Sequence, residues 1–123
     1  LALGSAIGPP ADFRQQHNVF ELADGRLTMF DNRESLQEPS RVLEIAVDPG
    51  AGTATLERAY DLPVHCPFQG GALRTPADRP LATCAPLQTA YEFDEAGAIA
   101  FTLATTCTAS GGRYIPRFSP VGW

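Results

Sequence analysis

The chain has 123 residues, a net charge of −5 and an apolar fraction of 44%, which indicates one globular domain or a part of one and excludes a disordered segment. All nine basic residues are arginines, and they form no basic stretch, which argues against nucleic-acid binding. No apolar run is long enough to cross a bilayer. Residues 1–10 lack the basic flank of an intact signal peptide.

The first half of the chain predicts β-strands. Short segments of alternating apolar and polar residues are separated by turn residues such as Asp24-Gly25. A helical apolar face is nearly absent. The predicted strands cover residues 19–22, 27–31, 43–47 and 54–60, with turns at 23–25 and 48–52.

The second half repeats the same cycle of four strands. The predicted strands cover residues 71–74, 81–84, 91–93 and 99–103, with turns at 76–80 and 95–97. A third cycle begins at Arg113 and Tyr114. The predicted units are therefore a first blade at 14–60, a second at 68–105, and the start of a next blade or a closing strand at 113–123, all within one partial domain at 1–123.

The repeat predicts an all-β fold made of antiparallel four-stranded blades of a β-propeller. The chain would hold about two and a half blades, whereas the smallest propellers have about four. Other sequence or further copies of the chain would then close the ring. An eight-stranded sandwich or barrel is the competing architecture, and alternation does not separate the two.

Chain reversal at every strand would gather the polar residues at one rim. The start of the first strand, the end of the second and the start of the third then share that rim. The residues placed there include His17, Asp31, Asn32, Ser40, Arg41, Arg113 and Tyr114.

The three cysteines, Cys66, Cys84 and Cys107, fit no zinc-binding pattern. The sequence leaves two states of the cysteines open. Either one disulfide forms and one thiol stays free, or all three thiols are reduced. The sequence also lacks a P-loop, a dinucleotide fingerprint and a nucleophile elbow. We therefore expect neither a metal nor a cofactor.

Four segments together resemble a known family. They are Gln16-His17, LTMFDN at 27–32, SRVLE at 40–44 and GTAT at 52–55. Their order and spacing look like the late blades of arylsulfate sulfotransferases. The resemblance runs from Phe13 to Tyr60 and continues more loosely to Tyr114.

The resemblance implies a six-bladed β-propeller that moves a sulfuryl group from a small phenolic sulfate ester to a phenol acceptor without a nucleotide donor. The family's nucleophilic histidine matches His17. Its other sulfate-binding residues lie in earlier blades, outside this chain. A periplasmic or extracellular location is implied as well. Asn18 after the histidine and Arg33 after Phe-Asp-Asn depart from the family pattern.

Sulfuryl transfer would need partners for His17. Asn18, Asn32 or a backbone carbonyl would fix the ring tautomer. Arg41 and Arg113 would stabilise the leaving phenolate, and Tyr114 would handle the acceptor's proton.

Asp31 should point away from an anionic substrate and hold Arg41. In the plainer interpretation, Arg41 and Arg113 anchor loops. The alternative function is a non-catalytic β-propeller that serves as a binding or scaffolding module.

Overall fold

The computed structural model describes residues 13–106. All the regular elements in this range are strands. Their bounds are β1 Gln16–Glu21, β2 Leu27–Asp31, β3 Arg41–Asp48, β4 Thr53–Asp61, β5 Gly71–Arg74, β6 Pro80–Cys84, β7 Thr89–Phe93 and β8 Ile99–Ala104. The described residues include no long apolar helix of the kind that spans a membrane.

The strands form two antiparallel four-stranded sheets, which we call sheet 1 (β1-β2-β3-β4) and sheet 2 (β5-β6-β7-β8). Each sheet keeps its strands in chain order, as the meander pattern predicted. The all-β, antiparallel prediction is therefore confirmed. Neither sheet closes on itself within the described residues, so these residues form no barrel. The predicted third cycle at Arg113 and Tyr114, and Cys107 with it, lie outside the described residues.

Strand β1 begins three residues before the alternation predicted it. Asn18 has a φ of 54° and sits at an irregularity in the β1–β2 register between His17 and Phe20. A residue in the left-handed region interrupts the alternation of side chains. The hydrophobic pattern therefore recovers only the part of β1 beyond this bulge.

The two sheets pack face to face through an apolar core. Phe30, Val42 and Tyr60 are direct cross-strand neighbours on sheet 1 and are buried. They form one cluster with Tyr91 and Phe93 of sheet 2, and the Tyr60 and Phe93 ring centroids lie 5.5 Å apart. Burial of each large side chain of this kind contributes about 1.5–3 kcal/mol.

The outward faces of the two sheets differ. The outer face of sheet 1 carries Met29, Leu43 and Ile45, which are buried in a second cluster. On the outer face of sheet 2, Leu103 is exposed and Phe101 is 56% exposed. Sheet 2 therefore presents apolar side chains that the described residues leave uncovered.

A disulfide ties the β4–β5 linker to sheet 2. Cys66 in the linker is bonded to Cys84 at the end of β6, and both are fully buried. Of the two cysteine states that the sequence left open, the structure shows the disulfide. Close packing of the same linker requires glycine at position 70. Gly70 has a φ of 118°, and a Cβ there would lie 2.5 Å from the ring of Phe30.

An ion cluster also bridges the sheets. The carboxylate of Glu44 on β3 is completely buried, and Arg26 Nη1 of the β1–β2 turn contacts its Oε2 at 2.6 Å. Arg74 on β5 contacts the other oxygen through Nη2. Since one arginine comes from each sheet, Glu44 links the sheets electrostatically.

Candidate functional site

The strand register brings the predicted polar residues to one edge of sheet 1. Gln16 pairs with Asp31, Asp31 with Arg41, and Arg41 with Asp61. Cys84, the last residue of β6, lies at the corresponding end of sheet 2 and is bonded to Cys66 of the linker. We call this end of both sheets the histidine edge. Topology alone predicted the grouping, and the register agrees with it.

His17 is exposed at this edge. It is the second residue of β1 and pairs with Phe30 on β2. Its side chain is open to solvent, unlike that of its cross-strand partner Phe30. The backbone of a paired strand thus holds an accessible imidazole at the end of the sheet, which a nucleophile requires.

The side chain of Asn18 connects the two sheets. Its Oδ1 accepts a hydrogen bond from the backbone N–H of Ala72 at 3.1 Å. The same oxygen lies close to Gly71, where an added Cβ would be 3.3 Å from it. The bulge turns the side chain toward β5, and the amide oxygen that was expected to fix the His17 tautomer is bound there.

Asn32 is built into the linker beneath the histidine edge. Its Nδ2 donates to the carbonyl oxygens of Cys66 and Gln69 at 2.6 and 2.7 Å. Ser40 completes the cluster, because its Oγ accepts from the Cys66 N–H at 2.7 Å and donates to the Asn32 carbonyl at 3.0 Å. Asn32 Oδ1 is buried without a hydrogen-bond partner among the described residues. Sequence reasoning missed the role of Ser40 in this cluster.

Arg41 and Asp31 form a buried ion pair. Arg41 Nε donates to Asp31 Oδ2 at 2.8 Å, and both side chains are almost fully buried. Asp31 Oδ1 accepts from the backbone N–H groups of Arg14 and Arg33, each at 3.0 Å. The expectation that Asp31 holds Arg41 is therefore met. The pair anchors the strand ends, which agrees with the plainer interpretation of Arg41.

The remaining predicted site residues, Arg113 and Tyr114, lie outside the described residues. Within 13–106, no group of three or more His, Cys, Asp or Glu side chains is arranged to hold a metal ion. Of the predicted site residues within 13–106, His17 is exposed. The side chains of Asn18, Asn32 and Arg41 are engaged in contacts that hold the fold together.

Sequence reasoning missed a second cluster at the opposite end of the sheets. Arg26, Arg58, Arg74 and Arg79 line a pocket there together with Tyr60. Hydrogen bonding from Arg26 lowers the pKa of Asp24 and in turn raises the pKa of Arg26. The hydrogen bond to Tyr60 raises the pKa of Arg58. In the sequence the only signal was Glu44, a charged residue between Leu43 and Ile45 of an apolar strand.

Comparison of the chain with protein-family models, with curated proteins and with solved structures finds no match. The site itself and the sequence resemblance are therefore what bears on the function of the chain.

Proposed function

We propose that the chain forms consecutive blades of an arylsulfotransferase-like β-propeller in which His17 carries the sulfuryl group. The observation that supports the proposal most is the exposure of His17 at the edge where β2 of the LTMFDN segment ends and β3 of the SRVLE segment begins. Two successive meanders that keep their strands in chain order are compatible with blades. The uncovered outer face of sheet 2 would pack on the next blade, supplied by other sequence or by another copy.

The transfer would proceed in two displacements at sulfur. A neutral His17 ring nitrogen attacks the sulfur of the phenolic sulfate, an N–S bond forms, and the S–O bond to the aryl group breaks. The phenolate leaves with the electron pair and takes up a proton. The acceptor phenol then loses its proton, its oxygen attacks the same sulfur, and the N–S bond breaks to restore His17.

In this proposal, residues near His17 position it for the transfer. Arg41 and Asn32 hold the strand ends through Asp31 and the linker carbonyls, so they would position His17 without touching substrate. The groups that bind sulfate would come from the blades that complete the ring. Arg113 and Tyr114 remain our candidates on this chain.

Turnover of a chromogenic aryl sulfate with a phenol acceptor tests the proposal on the complete protein. We expect His17→Ala to lower the rate at least a thousandfold, since loss of a covalent nucleophile removes about 4 kcal/mol or more of barrier lowering. His65→Gln is the matched control, because His65 Nδ1 contacts the Glu38 carbonyl at 3.0 Å on a loop. Mass spectrometry should show one added SO3 group on the His17 peptide. Equal turnover in His17→Ala and the parent protein would refute the assignment.

A non-catalytic binding module is the second candidate. It is favoured by the engagement of Asn18, Asn32 and Arg41 in contacts that hold the fold together. Saturable binding of the aryl sulfate without turnover, unchanged in His17→Ala, would select this function. Additional histidines and an arginine in earlier blades of the complete protein would select the transferase.

A further inference from the structure

A pocket of about 250 Å³ opens between the two sheets at the end opposite His17. We call it the arginine pocket. Turns of both sheets contribute to it, since Arg26 follows the end of β1 and Arg79 precedes β6. Strands β4 and β5 contribute Arg58 and Arg74. Four guanidinium groups thus line one small pocket.

The guanidinium of Arg58 has N–H donors that are not hydrogen-bonded within the described residues. Its Nη1 reaches the Tyr60 hydroxyl at 3.5 Å and the Glu95 carbonyl at 3.3 Å. Both acceptors are neutral, and within residues 13–106 no carboxylate forms an ion pair with Arg58. A guanidinium has five N–H donors in a planar fork, so most of the fork remains available to a ligand.

Arg74 also lines the pocket, but two carboxylates engage its guanidinium. Its Nη2 is bound to Glu44. Its Nε is buried and lacks a hydrogen-bond partner among the described residues. Arg58 therefore offers the pocket a more open donor fork than Arg74.

Most of the nearby carboxylates are occupied or directed elsewhere. Glu44 is shared by Arg26 and Arg74. Asp94 Oδ1 accepts from the N–H groups of its own turn, and Asp78 Oδ1 lies 3.4 Å from Arg74 Nη1 although its side chain is 85% exposed. Glu95 is the remaining acidic residue that lines the pocket. The pocket is therefore close to neutral in total charge, and directed N–H donors are what it offers an anion.

From this geometry we infer that the arginine pocket binds a small oxyanion, such as a sulfate, phosphate or carboxylate group. Planar guanidinium forks match such groups in two-point fashion. The volume favours a small anion or the charged end of a larger molecule, because pockets for drug-sized ligands are about 300–1,000 Å³. The site is separate from His17, and it does not depend on the proposed transferase activity.

Calorimetric titration of the full chain with inorganic phosphate, sulfate and acetate, at low ionic strength, tests the inference. We expect saturable one-site binding with a millimolar or lower dissociation constant. Arg58→Gln should weaken it at least tenfold, and Arg58→Lys several-fold, because lysine keeps the charge but loses the fork. Glu95→Gln should tighten binding by removing the remaining repulsion. Tighter binding of phenyl phosphate than of phosphate would indicate a larger ligand, and equal binding would indicate a free anion.

Arg33→Gln is the matched control. Arg33 is also a partly exposed arginine, but it lies at the histidine edge and contacts Glu38 at 2.8 Å. The Arg33→Gln variant should leave the affinity for the anion unchanged. Absence of saturation, or equal weakening by Arg33→Gln and Arg58→Gln, would overturn the inference, because binding would then follow overall charge.

Discussion

Replacement of Glu44 by glutamine should destabilise the fold far more than a surface change of the same kind. The substitution keeps the shape of the side chain but removes the charge between Arg26 and Arg74. Loss of one partner from a fully buried ion pair costs about 3–5 kcal/mol. The arginine side chains are 27% and 16% exposed and can regain some hydration. We therefore expect a loss of about 2–4 kcal/mol.

Glu92→Gln provides the matched control. Glu92 on β7 pairs with Arg79 at 3.1 Å, but the two side chains are 23% and 48% exposed, so its loss should cost only about 0–1 kcal/mol. Urea unfolding of the full chain measures both variants. A fall in melting temperature of several degrees per kcal/mol should accompany the Glu44 change. An equal loss of stability in Glu44→Gln and Glu92→Gln would show that the buried carboxylate does not stabilise the fold more than the exposed one.

Gly70 of the linker and the Cys66–Cys84 disulfide each lead to one further prediction. Gly70→Ala should cost about 2–5 kcal/mol by urea unfolding, from backbone strain and overpacking. Gly25→Ala has a positive φ but nothing within 4 Å of the added Cβ, so it should cost about 1 kcal/mol; similar losses in both variants would contradict the predicted clash. Joint replacement of Cys66 and Cys84 by alanine should cost about 3 kcal/mol, from closure of a loop with a sequence separation of 18. Non-reducing peptide mapping should recover these two cysteines in one linked fragment, and a different pairing would refute the structure here.

The strands were predictable because side-chain alternation is a local property. The bounds of β2 and β5 agree with the pattern, and all eight strands lie where the sequence indicated. Local pattern failed where tertiary contacts override it. Glu44 is buried because arginines distant in sequence reach its carboxylate. A single sequence does not reveal which distant residues will meet.

The candidate site was predictable in position but not in role. Reversal of direction at each strand places His17 and Arg41 at one edge, and the register agrees. Asn18 and Asn32 were expected to serve His17, yet they bind the backbone of β5 and of the linker. Hydrogen-bond partners of this kind depend on how the second sheet packs, which alternation does not specify.

The bond between Cys66 and Cys84 makes a closed ring of the chain that contains the whole β5–β6 hairpin. A single cut by a protease within this ring leaves both fragments covalently joined until the disulfide is reduced. Sheet 2 also keeps its first hairpin folded back on the linker when its other contacts open. Reducing conditions would therefore change how the two sheets separate as well as how stable they are.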